Sequence, residues 1–317
     1  MTMNRRQWMG LALGTGAALS LGPRFAFGAA SRPLITRPIP SSGEQVPVIG
    51  LGSSATFRSV AEGEDVAGIA EVLRTLVEGG GSVFDTAPSY GASEQVAGRL
   101  AQELGLARKL FWATKVNVAP RGGGSADPAA ARAQVEESFR RAGTGTIDLI
   151  QVHNLGDVPV QLGILKELKA AKRLRYVGVT STSKEQYGAL ARVMREEPLD
   201  FIGVDYAADN RSVEETILPL AIERGIAVMV YVPFGRTRLF QRVGDRPLPG
   251  WAAEFDAGSW AQFFIKFVLG HPAVTVVTPA TSKARNMADN LGGGAGRVPD
   301  EQTRRRMAEF VDALPQA

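Results

Sequence analysis

The run Ile147-Asp148-Leu149-Ile150-Gln151-Val152 ends on His153, one of two histidines in a chain of 317 residues. Two earlier apolar runs end in the same way. Val83-Phe84 leads into Asp85-Thr86-Ala87-Pro88-Ser89-Tyr90-Gly91, and Phe111-Trp112-Ala113-Thr114 leads into Lys115. An aspartate, a tyrosine, a lysine and a histidine thus stand at or just past the C-terminal ends of successive predicted strands. In a parallel α/β barrel those ends share one face, on which active sites are built. Four complementary side chains gathered there point to proton-transfer chemistry.

The same alternation extends along the chain. Pro47–Gly52 precedes these runs, and Tyr176–Val179, Phe201–Val204, Ala227–Val232 and Val274–Val277 follow them, which makes eight predicted strands. Amphipathic stretches lie between, such as Val66, Ile69, Leu73, Leu76 and Val77 at helical spacing. Asp127-Pro128 reads as an N-cap followed by a first-turn proline, and Ser183-x-x-Gln186 and Ser212-x-x-Glu215 read as capping boxes. Pro219 places the start of the sixth helix later than its capping box suggests, and Gly79, Gly143 and Gly225 stand at C-cap positions. Eight strand–helix units at roughly 30-residue spacing predict a closed (β/α)₈ TIM barrel of the α/β class. An open doubly wound sheet fits less well, because no Gly-x-Gly-x-x-Gly turn joins a strand to a helix. Residues 35–47 predict an N-terminal β-hairpin at the barrel bottom, and the chain closes on a C-terminal helix. Long loops are expected over Asn117–Ala126 and Gly235–Ser259, on the face that shapes a substrate pocket.

There is no cysteine, which closes disulfide, zinc-thiolate, iron–sulfur and cysteine-nucleophile chemistry. His271 lies in a Gly-His-Pro turn and reads as structural, so two dispersed histidines offer no metal site. The formal charge of +4 owes three charges to Arg5, Arg6 and Arg24 at the N-terminus; without them 33 basic residues face 32 acidic ones. No nucleic-acid partner follows from so even a balance.

Asn4-Arg5-Arg6-Gln7-Trp8-Met9, the uncharged stretch Gly10–Gly22 and the small residues Gly28-Ala29-Ala30 together read as an export signal over residues 1–30. The paired arginines resemble a twin-arginine address, which implies the twin-arginine export machinery as a transit partner and a periplasmic or otherwise exported protein. Between Arg6 and Arg24 lie 17 uncharged residues, four of them glycine, short and weak for a membrane span. Residues 31–317 are then the mature barrel, without stable membrane anchoring after cleavage; an uncleaved anchor, or a cytoplasmic protein with an inert signal, is the alternative.

Taken together and in order, Gly50-Leu51-Gly52, FDTAPSYG at Phe84–Gly91, ATKV at Ala113–Val116, IDLIQVHN at Ile147–Asn154, LRYVGVTS at Leu174–Ser181, MVYVPFG at Met229–Gly235 and TPATSKARNMADN at Thr278–Asn290 resemble the aldo-keto reductases over essentially the whole mature chain. The chemistry stands on its own terms. A carbonyl that accepts a hydride needs a proton, and an ordinary tyrosine with a pKa of about 10 holds its proton firmly at neutral pH. A nearby ammonium eases release, and a carboxylate keeps that ammonium charged. The resemblance assigns Tyr90 as acid, Lys115 and Asp85 as the pair that tunes it, and His153 as the group that positions the carbonyl oxygen.

It further implies a nicotinamide cofactor, NADPH by preference with NADH as the alternative, and an aldehyde or ketone as the small-molecule substrate. Tyr231 would stack on the nicotinamide and Ser181 would bind its carboxamide. Gly235, Arg236 and Arg238 after the seventh strand, and Thr281, Ser282, Lys283, Arg285 and Asn286 after the eighth, would hold the phosphates, with Asn290 on the adenine. The chain departs from the pattern at Gly203, where relatives often carry a carboxamide-binding glutamine, at Ala280, where a lysine is frequent, and at Asn286, where many have a phosphate-clamping arginine one position past Arg285. Trp251 and Trp260 either line the pocket or pack. A non-turnover nicotinamide-binding sensor or partner subunit, and more remotely a barrel isomerase or lyase, are the competing classes.

Overall fold

The structure, a computed structural model, describes residues 32–63, 65–119 and 124–316. The predicted export segment and residues 120–123 of the loop after Lys115 lie outside the described residues. From Pro33 onward the chain forms one compact unit.

A short antiparallel hairpin comes first, β1 (Thr36–Pro38) and β2 (Gln45–Pro47), with Arg37 opposite Val46. Eight parallel strands follow: β3 (Leu51–Gly52), β4 (Val83–Asp85), β5 (Phe111–Val116), β6 (Ile147–Val152), β7 (Leu174–Ser181), β8 (Phe201–Asp205), β9 (Ala227–Tyr231) and β10 (Val274–Val277). They pair in unbroken sequence order from β3 to β10. Bridges Ile49–Val277 and Gly52–Ala280 close the seam, and the Gly50 N–H donates to Val277 O at 2.9 Å. A Cβ on Gly52 would sit 2.7 Å from the Thr278 carbonyl oxygen, so this close approach requires a glycine. The (β/α)₈ barrel that the repeat predicts is the fold that forms.

Eleven α-helices occur among the described residues: α1 (Thr56–Ala61), α2 (Ala67–Glu78), α3 (Ser93–Glu103), α4 (Pro128–Ala142), α5 (Val158–Ala170), α6 (Tyr187–Glu196), α7 (Ile217–Arg224), α8 (Arg238–Val243), α9 (Trp260–Leu269), α10 (Ala284–Gly293) and α11 (Glu301–Asp312). Around the sheet α2 packs on α3, α3 on α4, α4 on α5, α6 on α7, α9 on α10, and α10 back on α2. The buried face of α2 is Ile69, Val72, Leu73 and Leu76, the spacing that turns one stripe toward the strands. Asp127 caps α4 by accepting the Ala129 N–H at 2.9 Å, and Gly143 ends that helix at φ 65°.

The two capping boxes do not form. Ser183 opens a 3₁₀ turn and its hydroxyl donates to Glu185, so α6 starts only at Tyr187. Ser212 also enters a 3₁₀ turn, and α7 starts at Ile217 with Pro219 in its first turn, where the missing N–H has no intrahelical partner to lose. The stretch Gly235–Ser259 is not one irregular loop. It contains α8 and a 3₁₀ turn at Gly250–Phe255.

The core has two shells. The larger lies between strands and helices. The smaller fills the lumen: Phe111, Tyr176 and Phe201 meet at the N-terminal end with ring centroids 5.7–6.2 Å apart, under Ala113, Leu149, Met229 and Val276. Ile39 and Val46 of the hairpin belong to this inner cluster, so the hairpin plugs the bottom. Trp251 and Trp260 pack with Phe263 and Phe310.

Replacement of Phe201 by Ala is expected to cost about 3–5 kcal/mol in urea unfolding, as for other large core aromatics. Ile222, which is 56% exposed, should tolerate Ala within about 0.5 kcal/mol.

Candidate active site

Asp85 ends β4, Lys115 is the penultimate residue of β5, and His153 directly follows β6. Tyr90 sits in the turn before α3, where its N–H donates to Ala87 O at 3.0 Å and its carbonyl accepts from Ser93 at 3.1 Å. The Ser93 hydroxyl ties this turn to the loop after β3 by donating to Ser53 O at 2.9 Å. All four predicted side chains thus emerge at the C-terminal end of the barrel.

The Lys115 ammonium donates to Asp85 Oδ1 at 2.9 Å, to Asp85 Oδ2 at 2.8 Å and to Thr86 O at 2.8 Å. The side chains are 1% and 4% exposed, so the ion pair is dry. Burial pushes the Asp85 carboxyl up from its ordinary range, and the Lys115 charge opposes it. For Lys115 burial acts downward, but the charge of Asp85, followed by that of Tyr90, outweighs it and holds the ammonium above its ordinary value. The two contacts of the ammonium on one carboxylate, at 2.8 and 2.9 Å, are those of an ion pair. Nζ lies 5.1 Å from the Tyr90 ring centroid and 5.0 Å from that of Tyr231.

His153 meets Tyr90 edge to face, with ring centroids 6.0 Å apart. Burial first, then the Lys115 charge, lowers its pKa to about 3. At neutral pH it is an uncharged imidazole, with one N–H to donate. Its backbone is clamped by Asn117, whose Nδ2 donates to His153 O at 2.8 Å. The chain leaves β6 through Asn154, Leu155 and Asp157 at positive φ, and the Asn154 N–H is held by Thr180 Oγ1 at 3.0 Å.

The lumen beneath holds a feature that the motif reading passed over. Gln151 Nε2 donates to the Tyr231 hydroxyl at 2.9 Å, and that hydroxyl lies 3.4 Å from Asp85 Oδ1. A Cβ on Gly203 would fall 2.4 Å from Tyr231 Cε2, and one on Gly178 would meet the Phe201 carbonyl oxygen at 2.3 Å before Gln151 Cγ at 3.2 Å. Gly203, read as a departure from the family pattern, is the space that the Tyr231 ring needs. Burial, then Asp85, raises the Tyr231 phenol well above its ordinary value. Asp205, opposite Tyr231 in the β8–β9 register, was also not singled out; burial pushes its carboxyl up to about 6. The available signal was strand alternation: Gln151 is two residues before His153, and Gly203 and Asp205 follow Phe201 at the same spacing.

The expected cofactor residues fall on the same rim, on β7 and on the loops of the adjacent strands β9 and β10. Ser181 is buried at the end of β7, its hydroxyl on Gln186 Oε1 at 2.9 Å. Gly235 and Arg236 follow β9 at positive φ. Arg238, expected on a phosphate, is engaged by Asp209 at 2.6 and 2.9 Å. Thr281 Oγ1 accepts the Lys283 N–H at 3.1 Å. Ser282 and Lys283 immediately precede α10, Arg285 and Asn286 are in its first turn, and Asn290 is buried further along it.

The model of the aldo/keto reductase family matches residues 48–308. An aldo-keto reductase of Strobilurus tenacellus is 25% identical over 87% of this chain and 93% of its own length. Among solved structures, an aldo-keto reductase of Bacillus halodurans in its holo form superposes with a TM-score of 0.69 at 23% identity, covering 88% of this chain and 96% of that one. One from Klebsiella pneumoniae in complex with NADP and acetate superposes with a TM-score of 0.64 at 24% identity, covering 87% and 94%. At these identities the superpositions speak for the fold.

Lys115→Met leaves a buried carboxylate without its partner and should lower stability by about 3–5 kcal/mol in denaturant unfolding, with part of the loss recovered when Asp85→Asn is added. His153 binds its proton more weakly folded than unfolded. The stability it contributes is therefore present above the ordinary histidine value of about 6.5 and is lost as pH falls toward about 3. With only two histidines to assign, a proton NMR titration should find the His153 ring uncharged at pH 5.

Proposed function

Because the chain belongs to the aldo/keto reductase family, we propose that it reduces an aldehyde or ketone to the alcohol by direct hydride transfer, with Tyr90 as the general acid. One observation carries this reading: a dry Asp85–Lys115 pair places its ammonium 5.1 Å from the Tyr90 ring.

A nicotinamide cofactor, when bound, supplies the hydride. The rim fits such a group. Helix α10 has no side-chain cap at Lys283, so its positive end is open to an anion, and Lys283 and Arg285 stand exposed beside it. Lys283, Arg285, Asn286 and Arg236 would hold the phosphates, Asn290 the adenine, Ser181 the carboxamide, and the Tyr231 ring the nicotinamide. Two cations at the head of α10 favour NADPH over NADH.

The remaining chemistry belongs to this chain's own residues. Tyr90 Oη gives its proton to the carbonyl oxygen as negative charge develops there. Lys115 stabilises the phenolate left behind, and Asp85 keeps the ammonium charged and aimed. His153 is neutral, so it offers a hydrogen bond to the carbonyl oxygen and does not compete with Tyr90 as a strong acid. The alcohol leaves with the proton that Tyr90 gave, and water restores the phenol for the next turnover.

We further propose that residues 1–30 direct export of the folded chain, a reading that rests on Arg5-Arg6 and the uncharged stretch after them. A mature N-terminus near Ser31 in a periplasmic fraction would support it; an uncleaved chain in the cytoplasm would refute it.

Fluorescence titration of residues 31–317 with NADPH and NADH should show binding of both, NADPH more tightly. Tyr90→Phe should bind cofactor as before while kcat falls about 10²–10⁴-fold. Full activity in that variant would sink the assignment of the acid.

A further inference from the structure

The lumen brings a second phenol to the ion pair that faces Tyr90. Lys115 Nζ lies between the two rings, 5.1 Å from Tyr90 and 5.0 Å from Tyr231. Tyr231 reaches this position because Gly203 leaves the wall of β8 open. Gln151 Nε2 then fixes the Tyr231 oxygen at 2.9 Å, which leaves the phenolic proton directed at Asp85 Oδ1 at 3.4 Å. Resting on the reductase reading of this site, we propose that Tyr231 is a positioning residue for the acid: its hydroxyl, anchored by Gln151, shares Asp85 with Lys115 and so sets how much of the lysine's charge is felt at Tyr90.

The physical argument is one of charge division. Asp85 carries one negative charge, and each donor that it accepts takes part of it. In a dry site such partners act strongly. With the Tyr231 hydroxyl in place, less of the carboxylate charge falls on Lys115, and the ammonium presents more net positive field to the Tyr90 oxygen. Without it Asp85 neutralises Lys115 more completely, and Tyr90 holds its proton more tightly. Tyr231 itself keeps its proton, because burial and the adjacent carboxylate both oppose a phenolate there. The other titratable group facing the pair is His153 at the end of β6, uncharged at neutral pH; Asp205, opposite Tyr231 in register, is coupled instead to Arg238 and Arg236. This role is additional to any stacking by the ring, since it requires the oxygen and not the face.

Tyr231→Phe separates the two, because it retains the ring and removes the hydroxyl. The first readout is the alkaline phenolate absorbance titration, with the Tyr90 transition identified by its loss in Tyr90→Phe made in each background. This measurement needs neither cofactor nor substrate. The Tyr90 transition is expected to move up by about half to one pH unit in Tyr231→Phe, on the scale of one weak bond to a charged group. The alkaline limb of kcat/KM should move with it, kcat should fall about three- to tenfold, and cofactor affinity should stay within about twofold. Gln151→Leu, which releases the anchor while leaving both tyrosines, should move the transition in the same direction and serves if Tyr231→Phe does not fold. An unmoved Tyr90 transition in either folded variant overturns the proposal, whatever happens to stability. A shifted transition in a chain that reduces no carbonyl supports the positioning role and sinks the reductase reading. Carbonyl turnover with an unshifted transition does the reverse.

Discussion

The buried salt bridge between Asp85 and Lys115 is the constraint around which the rest of the site is arranged. Taking two charges out of water costs several kcal/mol per ion, and only close geometry with every donor satisfied offsets this. The barrel provides that geometry. Adjacent parallel strands deliver the two side chains to the same layer, and Thr86, the residue after Asp85, also accepts from the ammonium. The arrangement is costly as a stabilising device but well suited to chemistry, since a charge that cannot be screened acts strongly on its neighbour.

Packing in the lumen divides the barrel into a lower part that holds the fold and an upper part that holds the site. Phe111, Tyr176 and Phe201 fill the N-terminal end, with Ile39 and Val46 of the hairpin beneath them. Toward the C-terminal end the filling becomes polar: Gln151, Tyr231, Asp85 and Lys115. An unmatched polar group in such a layer costs about 1–3 kcal/mol, and Gln151 Oε1 is one, buried there without a hydrogen-bond partner among the described residues. Gly203 supplies the room for the tyrosine, and Gly178 lets the backbone of β8 come close at Phe201.

The rim is built differently. His153 leaves β6 through three residues at positive φ, and Val232, Gly235 and Arg236 leave β9 in the same region. Non-glycine residues there are strained unless their surroundings hold them, and such strain gathers at binding sites. The Asn117 clamp on the His153 carbonyl and the Thr180 clamp on Asn154 are the holding contacts after β6. Arg238 is held by Asp209, which braces the loop after β9.

Much of this was legible in the chain itself. Eight β-branched runs with helical spacing between them determined the barrel, because strand and helix periodicities are local properties of side-chain order. Asp85, Tyr90, Lys115 and His153 could be picked out because each ends or follows such a run, and a parallel barrel sends all those ends to one face. The Asp127 cap was likewise local, whereas the serine boxes failed because 3₁₀ turns took the places where the helices were to begin. What only the tertiary structure decided was every relation across the lumen or between loops. Gly203 read as a missing glutamine until the ring of Tyr231, 28 residues later, occupied its place. Gln151 is, in sequence, one polar residue in a strand, and nothing in the order of residues pairs Arg238 with Asp209. Such pairings depend on distances between strands and on the exclusion of water, and one-dimensional spacing carries neither.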